Sequence, residues 1–291
     1  MNVLLTGGLG DLGLMLTHAL AKRGDNSVSM DILQPKYPQQ GQFISGSILD
    51  REILKKSMQG IDFVIHIAAW HGIHLVTEQK NVYDFWDLNV NGTFNIFQAA
   101  ADAGIQKMIY ISSTSVLDRF GVYGHTKVLG EEIALTYQQR HNMDVINLRP
   151  SAFIPYWNEA VYPSFAEFAK WYWKGAVHIV DVVQSVIKSL DLLAKGKLES
   201  CLTLFVDGKY EYTPHDLQNW DADGAGSTFQ KIYAPFSETA SRFELDKTQK
   251  PDVFDIEPTR KWLGYEPTYS PLNLLQDLEA YGEKGPPLPE L

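Results

Sequence analysis

A tyrosine and a lysine, Tyr123 and Lys127, lie four residues apart in a segment with helical spacing. Residues four apart in an α-helix share a face and are separated by one turn. A free tyrosine has a pKa of about 10, but a neighbouring ammonium favours the phenolate and lowers that value. The pair could therefore exchange a proton with the oxygen of a bound alcohol or ketone. Such pairs occur by chance on many helices, so the surrounding elements decide the interpretation.

A glycine-rich stretch, TGGLGDLG, follows the apolar run of residues 2–6. Gly7, Gly10 and Gly13 stand between that predicted strand and a segment with helical spacing, where missing side chains let a pyrophosphate approach the N–H groups of a helix start. Asp31 ends the next predicted strand. A carboxylate there can accept hydrogen bonds from both adenosine ribose hydroxyls and repels a 2′-phosphate. The pattern predicts a site for NAD rather than NADP.

Strand-like and helical segments alternate along residues 1–150, and several of the strands are almost wholly apolar. This indicates an α/β fold, a Rossmann-type doubly wound parallel sheet covered on both faces. Past Pro150 the alternation becomes irregular and aromatic residues and prolines crowd together. We predict a nucleotide-binding domain over residues 1–150 and a smaller, interleaved substrate region over residues 151–291, with residues 177–200 returning to the sheet.

The composition limits the partners of the chain. Its formal net charge of −10 argues against nucleic acid or an anionic membrane as a partner. A single cysteine, Cys201, excludes an intrachain disulfide and fits a reducing compartment. The first residues lack the pattern of a secretion signal, and no apolar run is long enough to span a bilayer, so we expect a cytoplasmic protein. None of the eight histidines has the spacing of metal ligands, so we expect no metal.

Further motifs follow the glycine stretch in a fixed order. They are HIAA (66–69), NVNGT (89–93), ISSTSV (111–116), YGHTK (123–127), LRP (148–150) and VHIVDVV (177–183). Together with TGGLGDLG, they resemble the extended short-chain dehydrogenases/reductases, the NAD-dependent epimerase/dehydratase family, over about residues 1–270. The resemblance implies a Rossmann fold, bound NAD, and catalysis by Tyr123 as general acid/base. It also implies that Ser113 positions the substrate oxygen and that Lys127 holds the nicotinamide ribose.

The resemblance implies a cofactor site along the ends of several strands. Its residues are Gly7, Gly10, Asp11, Leu12, Gly13, Asp31, Ile32, Ser47, Ile48, Ala68, Ala69, Asn89, Ser112, Tyr123, Lys127 and Pro150. Asn89 matches a family asparagine that links the active-site helix to the lysine through water. The implied substrate contacts are Trp70, Ser113, Thr114 and Lys174. His66 is expected to be a core histidine, and His178 and Asp181 match an element that is mainly architectural.

Asp11 departs from the family pattern, because that position is usually aromatic or aliphatic. A carboxylate facing the phosphates would cost affinity, whereas one at a helix start can turn outward, cap free N–H groups and interact favourably with the helix dipole. We therefore predict that the Asp11 backbone serves the pyrophosphate while its side chain turns away.

The resemblance implies hydride transfer at a secondary alcohol or ketone of a sugar or sugar-derived substrate, by an epimerase or a dehydrogenase. Sugar 4,6-dehydratases of the family carry acidic residues after the catalytic hydroxyl, where this chain has Thr114 and Ser115, so elimination is disfavoured. The family commonly dimerises through two helices, here about residues 82–103 and 123–140. A homodimer is expected on that basis.

Two segments are short compared with the nucleotide-sugar enzymes of the family. Nine residues (114–122) separate Ser113 from Tyr123, and 27 residues (151–177) separate Pro150 from His178. Lys174 stands where the family often has an arginine for the substrate diphosphate, and a lysine lacks the bidentate fork. One alternative is therefore a dehydrogenase of a small non-nucleotide hydroxy compound such as a sugar acid. A non-catalytic NAD-binding sensor on the same fold is the other alternative.

Overall fold

The structure is a computed structural model that describes residues 1–36, 39–119 and 121–289. Phe120, which belongs to the short 114–122 segment, and residues 290 and 291, which end the predicted 151–291 region, lie outside the described residues. Within the described ranges, no helix is long and apolar enough to cross a membrane.

One parallel sheet of seven strands lies at the centre of the described chain. The strands are β1 (Asn2–Thr6), β2 (Asn26–Asp31), β3 (Gln42–Ser45), β4 (Phe63–His66), β5 (Lys107–Ile111), β6 (Asp144–Pro150) and β7 (Leu202–Val206). Their order across the sheet is β3-β2-β1-β4-β5-β6-β7, so it reverses between β1 and β4. This is the strand order of a doubly wound nucleotide-binding fold, and it confirms the predicted fold class.

The apolar strand sequences fold this way because both faces of the sheet are covered. Val3, Leu4 and Leu5 are fully buried in β1. Val3 and Leu5 belong to one hydrophobic cluster and Leu4 to another, since successive strand side chains point to opposite faces. A strand buried on both sides has no polar face, which explains its unbroken apolar run.

Helices cover both faces of the sheet and build most of the second region. They are α1 (Asp11–Lys22), α2 (Arg51–Ser57), α3 (Gly72–Val76), α4 (Val82–Phe85), α5 (Thr93–Asp102), α6 (Val122–His141), α7 (Phe165–Tyr172), α8 (Ile179–Lys195), α9 (Pro214–Gln218), α10 (Ser227–Tyr233), α11 (Ser237–Arg242), α12 (Glu257–Leu263) and α13 (Pro271–Tyr281). Short 3₁₀ turns lie at Thr114–Leu117, Ala234–Phe236 and Gly282–Lys284.

A π-helix, Trp86–Gly92, joins α4 to α5. The periodicity over residues 82–103 predicts one continuous helix, and the structure instead divides it into these three segments. π-Helical turns are rare and occur frequently at functional sites. This one contains the buried Asn89.

The region after β6 forms a second, aromatic core beside the sheet. Phe168, Tyr172 and Trp173 are buried there with residues of α10 and α13. The chain also returns to the sheet. Helix α8 packs on the face of the sheet that contains Val3 and Leu5, and β7 pairs in parallel with β6. A division of the chain at residue 150 stays a prediction.

The family-like element around His178 has a structural explanation. The buried Asp181 carboxylate accepts hydrogen bonds from the backbone N–H and hydroxyl of Thr268 and from the backbone N–H of Tyr269. The His178 ring stacks on Tyr269, with 4.5 Å between the ring centroids. The pair thus ties the start of α8 to the segment before α13.

Helix α1 approaches the glycine loop that follows β1 so closely that one position excludes a side chain. A Cβ atom at Gly13 would lie 2.6 Å from the Gly7 carbonyl oxygen and 2.6 Å from the Gly8 Cα. Gly7 itself has φ +69°, in the left-handed region that glycine adopts without strain. A Cβ at Gly10 would meet only the Gly7 carbonyl oxygen, at 3.4 Å.

We expect Gly13→Ala to lower the free energy of unfolding by about 1–3 kcal/mol, because the added methyl group overpacks the contact between α1 and the glycine loop. Gly10→Ala is the matched control, and its effect should be within about 0.5 kcal/mol of zero. Urea unfolding monitored by circular dichroism measures both. Equal effects of the two variants would contradict the proposed packing constraint.

Candidate active site

The predicted site residues follow the carboxyl ends of neighbouring strands, which meet at one edge of the parallel sheet. Gly7 follows β1, Asp31 ends β2, Ala68 follows β4, and Ser112 and Ser113 follow β5. In doubly wound folds, ligands bind outside the carboxyl ends of the strands near the point where the order reverses. The topology therefore brings these residues to the edge where a ligand is expected.

The glycine loop forms a cradle at the start of α1. The N–H groups of Gly7 and Gly8 donate to the Met30 carbonyl oxygen, at 2.9 and 3.2 Å. A Cβ at Gly7 would lie 3.0 Å from the Ala68 Cα, and one at Gly8 would lie 2.6 Å from the Ser29 Cβ. The loop is thus pressed against β2 and the segment after β4, so a ligand meets backbone rather than side chains there.

The Asp31 carboxylate joins the cradle to the end of β2. One oxygen accepts a hydrogen bond from the Leu9 N–H, and the other accepts from the Leu33 N–H, each at 3.0 Å. A carboxylate has about four acceptor sites, so both oxygens can still accept hydroxyl groups. The groups at this edge, namely N–H donors of the glycine backbone and the helix start and an accepting carboxylate, fit a dinucleotide that carries unphosphorylated ribose.

Asp11 is the first residue of α1, and its side chain is directed to the second region of the chain. Its Oδ2 atom accepts a hydrogen bond of 2.9 Å from the Asn158 side-chain amide. Burial raises the pKa of Asp11, and the Asn158 hydrogen bond partly offsets this. The side chain thus connects the cradle to the segment that follows β6.

Tyr123 and Lys127 lie one turn apart on α6, and Ser113 faces them from the end of β5. The Tyr123 ring packs against the buried Phe85, with 6.5 Å between ring centroids. The Lys127 Nζ atom lies 5.9 Å from the centre of the Tyr123 ring. A serine hydroxyl, a phenol and an ammonium therefore converge beside the predicted cofactor edge.

The pKa of Tyr123 lies above its usual value in the structure, and the positive charge of an oxidised nicotinamide would add to that of Lys127 in lowering it. Burial raises it to about 12, and an interaction with the Ser113 hydroxyl partly offsets the rise. The spacing of Tyr123 and Lys127 indicates an ammonium near the phenol but does not contain the cost of placing a phenolate in a buried site. The phenol of Tyr123 is therefore protonated near neutral pH in this structure.

Lys127 is a buried cation held mainly by neutral groups. Its Nζ donates a hydrogen bond of 2.7 Å to the Ile111 carbonyl oxygen and lies 5.0 Å from the centre of the Tyr110 ring. Burial lowers the pKa of Lys127 to about 7, and the charge of Glu131 partly offsets this. Its charge can therefore change near neutral pH.

A line of buried hydrogen bonds links β1 to α6, the helix that carries Tyr123. The Thr93 hydroxyl donates to the Asn89 carbonyl oxygen at 2.6 Å, so it accepts from His66 Nε2 at 3.0 Å. His66 Nδ1 then accepts from the Thr6 hydroxyl at 2.7 Å. Burial lowers the pKa of His66 to about 3, which keeps the imidazole neutral. His66 thus lies in the core, as the sequence analysis expected.

The Asn89 side chain continues this line of hydrogen bonds toward α6. Its amide donates to the Thr126 hydroxyl at 3.0 Å, and that hydroxyl donates to the Tyr123 carbonyl oxygen at 2.9 Å. The same amide group also exchanges two hydrogen bonds with the Trp70 backbone, at 2.8 and 2.9 Å. Asn89 therefore fixes the segment after β4 against α6.

That segment brings two histidines to the site. A Cβ at Gly72 would lie 3.8 Å from the Tyr123 ring, so the segment borders the tyrosine. The His71 side chain is accessible to solvent, yet surrounding protein and then the charges of His74 and Lys127 lower its pKa. Lys80 covers the Trp70 ring at 4.4 Å. This side of the site is aromatic and rich in imidazole.

Other predicted residues have identifiable surroundings. Leu12 and Ile48 are buried in the core, so only their backbones can contact a ligand, whereas Ile32 is exposed. The Ser47 hydroxyl accepts a hydrogen bond from the Leu49 N–H, and the Ser112 hydroxyl donates to Glu131. Ala68, Ala69 and Pro150 follow or end the central strands, and Thr114 begins the 3₁₀ turn after Ser113.

Lys174 is exposed in the connection between α7 and α8. Its backbone donates to the Trp171 carbonyl oxygen and accepts from the Asp252 N–H. Its role toward a substrate stays a prediction. Among the described residues, no group of three or more His, Cys, Asp or Glu side chains is arranged to hold a metal.

Sequence reasoning missed four residues at this edge. Asn158 gave no signal, because its partner Asp11 is 147 residues away. His71 follows a predicted substrate residue directly, and Glu131 lies four residues after Lys127, so their spacing could have indicated them. Arg149, which forms an ion pair with Glu131, was hidden inside the LRP motif.

Several curated proteins are similar in sequence to this chain. Among curated proteins, a 3 beta-hydroxysteroid dehydrogenase/Delta 5→4-isomerase of Mycobacterium tuberculosis is 31% identical over 202 residues, which are 62% of this chain and 53% of that protein. An L-arabinose 1-dehydrogenase (NAD(P)(+)) of Haloferax volcanii is 25% identical over 182 residues, which are 51% and 65% of the two chains. The chain spans about half the length of the first curated relatives it matches.

Solved structures with the same fold include two sugar-nucleotide epimerases. UDP-glucuronic acid 4-epimerase from Bacillus cereus, in complex with UDP-glucuronic acid and NAD, has a TM-score of 0.69 and 21% identity over 95% of this chain and 97% of that one. UDP-glucose 4-epimerase from Brucella ovis, in complex with NAD, has a TM-score of 0.71 and 18% identity over 98% of this chain and 99% of that one. At these identities the likeness establishes the fold.

The family model that matches is that of the NAD dependent epimerase/dehydratase family, over residues 3–167. That range contains the glycine cradle, Asp31, Ser113, Tyr123 and Lys127. The chain therefore belongs to the NAD-dependent epimerase/dehydratase family, the extended short-chain dehydrogenases/reductases.

Proposed function

We propose that the chain transfers a hydride between NAD and a secondary alcohol or ketone, with Tyr123 as the general acid/base. The observation that carries this proposal is the convergence of Tyr123, Lys127 and Ser113 at the carboxyl edge of the sheet, beside the glycine cradle. Each group has a distinct chemical capacity there, because a phenol moves a proton, an ammonium holds a positive charge, and a hydroxyl orients an oxygen.

The proposed residue roles follow from the environments of the three groups. When bound, NAD supplies the acceptor or donor of the hydride. In the direction of oxidation, Tyr123 takes the hydroxyl proton, so the raised pKa of Tyr123 must fall in the reacting complex. Lys127 provides the positive charge that favours the phenolate, and Ser113 donates a hydrogen bond to the substrate oxygen. In reduction, the protonated Tyr123 returns its proton to that oxygen.

We further propose that the substrate is a sugar or a sugar derivative, and that a small sugar acid is the leading alternative to a nucleotide sugar. The short segments 114–122 and 151–177 support a small substrate. The indole and imidazole groups of Trp70 and His71 support a polar, ring-shaped one. The solved relatives bind UDP-sugars, whereas curated relatives include a steroid dehydrogenase and an L-arabinose dehydrogenase, so all three substrate classes belong in the screen.

We expect Tyr123→Phe to lower kcat about 10²–10⁴-fold, because the phenol oxygen that exchanges the proton is removed. NADH absorbance, measured over a panel of sugars, uronic acids, UDP-sugars and hydroxysteroids, reports net oxidation, and NMR analysis of the products reports isomerisation. A dehydrogenase accumulates NADH, whereas an epimerase isomerises its substrate at constant cofactor redox state. Tyr110→Phe, which removes a buried phenol of the same core, is the matched control.

Full activity of Tyr123→Phe would exclude the proposed proton transfer. Absence of turnover across the panel, with NAD bound, would instead favour the non-catalytic sensor. Product analysis by NMR separates absence of turnover from epimerisation, because both leave the NADH absorbance unchanged.

We propose that Asp11 contributes its backbone to the pyrophosphate site while Asn158 holds its carboxylate aside, as their 2.9 Å hydrogen bond suggests. Asp11→Phe should then change the Kd for NAD by a few-fold at most. Asn158→Ala should weaken NAD binding more, because it frees a carboxylate next to the phosphates. The double variant should behave like Asp11→Phe.

Isothermal titration calorimetry measures all three variants. A large gain of affinity in Asp11→Phe would contradict this arrangement, since it would mean that the carboxylate opposes the phosphates in the unaltered protein.

We propose a homodimer that packs through α4, the π-helix, α5 and α6. Trp86 and Phe94 are large, exposed apolar side chains that line a groove with Ile133 of α6. A second copy of the same face would cover this groove symmetrically, as in most soluble homo-oligomers.

We expect Trp86→Glu to convert the dimer to a monomer in sedimentation-velocity experiments, because a charge at the centre of an apolar interface is costly to bury. Trp262→Glu is the matched control, since Trp86 and Trp262 are 47% and 48% exposed and Trp262 lies on α12. A monomeric unaltered protein, or a dimer that survives Trp86→Glu, would overturn the proposed interface.

A further inference from the structure

A partly buried carboxylate, Glu131, lies one turn beyond Lys127 on α6. It accepts a hydrogen bond of 2.5 Å from the Ser112 hydroxyl. It also accepts two hydrogen bonds from the Arg149 guanidinium, 2.9 Å from Nε and 2.6 Å from Nη2. The Glu131 side chain is 11% exposed, so solvent contributes little to its hydrogen bonding. Three elements, β5, α6 and β6, therefore meet at this one side chain.

The position of Ser112 gives this network a link to the site. Ser112 directly precedes Ser113, and its N–H donates to the Leu148 carbonyl oxygen at 2.7 Å. The Lys127 ammonium bonds to Ile111, the last residue of β5. Glu131 thus clamps the end of β5, where Ser113 lies, to the same helix face that carries Tyr123 and Lys127.

The charges around Lys127 come from several elements. Tyr123 and Glu131 belong to its own helix, Tyr110 to β5, His66 to β4, His71 to the segment after β4, and Arg149 reaches the network from β6. The two histidines have lowered pKa values and are neutral near pH 7. Glu131 is the acidic group that acts on Lys127, and its charge raises the pKa that burial lowers.

We propose that Glu131 is a positioning residue for proton transfer, which fixes Ser113 relative to Tyr123 and keeps the Lys127 ammonium charged. Its kinetic consequence rests on the proposed function. Its electrostatic consequence concerns Lys127 alone and holds whatever the substrate is.

The direction of the effect follows from the signs of the charges. Glu131→Gln keeps an oxygen that can accept a hydrogen bond from Ser112 but removes the negative charge. The neutral form of Lys127 therefore becomes more favourable relative to the charged form than in the unaltered protein. The titration of Lys127, near pH 7 in the unaltered protein, should move down by about 0.5 to 1 pH unit. Arg149→Met should move it up, because a positive charge is lost and Glu131 is left uncompensated.

Lysine labelled with ¹³C at Cε reports this titration directly by NMR, with no cofactor or substrate added. Lys127→Arg assigns the resonance. Glu279→Gln is the control, because Glu279 is an exposed glutamate of α13 outside the groove of the proposed dimer, and it should leave the Lys127 titration unchanged. Thermal denaturation verifies that each variant is folded.

Opposite shifts in Glu131→Gln and Arg149→Met would support the proposal, since loss of structure alone would not produce opposite signs. Identical Lys127 titrations in Glu131→Gln and the unaltered protein would overturn it. If either variant fails to fold, the sign of the shift in the other decides.

A substrate found in the panel adds a kinetic test. The alkaline limb of kcat/KM for oxidation should move to lower pH in Glu131→Gln, because Lys127 loses its proton sooner. An unshifted limb would remove the kinetic part of the proposal. Absence of turnover in the unaltered protein would count against the proposed function and leave the NMR result standing.

Discussion

The site depends on a buried line of hydrogen bonds that connects five elements, namely β1, β4, the π-helix, α5 and α6. It begins at Thr6, passes through His66, Thr93, Asn89 and Thr126, and ends at the Tyr123 carbonyl oxygen. A buried polar group without a partner is costly, so each side chain in this line is favoured in the orientation that keeps its hydrogen bonds. The cradle after β1 and the helix that carries the phenol are therefore held in one fixed relation.

A second network acts across the neighbouring strands. Arg149, Glu131 and Ser112 connect β6 to α6 and β5, with the Lys127 ammonium beside them. The line of hydrogen bonds from Thr6 to Tyr123 contains neutral groups and sets the distance between β1 and α6. The second network contains charges and sets the protonation of the lysine, so geometry and electrostatics are supplied by different residues.

The sequence predicted the fold well because its signals were local. Buried parallel strands require unbroken apolar runs, and the close contact at Gly13 requires glycine. The sequence also placed Tyr123 and Lys127 on one helix face, since that depends only on the helical repeat.

Other features could not be predicted, because they depend on residues that are distant in sequence. The Asp11–Asn158 hydrogen bond joins two segments whose contact only the folded chain establishes. The pKa of Tyr123 depends on how completely the ring is buried, which the spacing of Tyr123 and Lys127 does not contain. The interruption at Trp86–Gly92 was missed because apolar periodicity indicates a helix but does not show which carbonyl oxygen each N–H group bonds.

That π-helix has a consequence for how the chain tolerates insertions and deletions. A π-helical turn is related to an α-helical turn by one additional residue. Loss of a single residue between Trp86 and Asn89 would restore the α-helical repeat and rotate Asn89 away from Trp70 and Thr126, while α5 could keep its apolar face on the sheet. The hydrophobic core would survive such a deletion and the hydrogen-bond line would not. A one-residue change in the length of this segment would therefore leave the chain folded but remove the hydrogen bonds that position Tyr123.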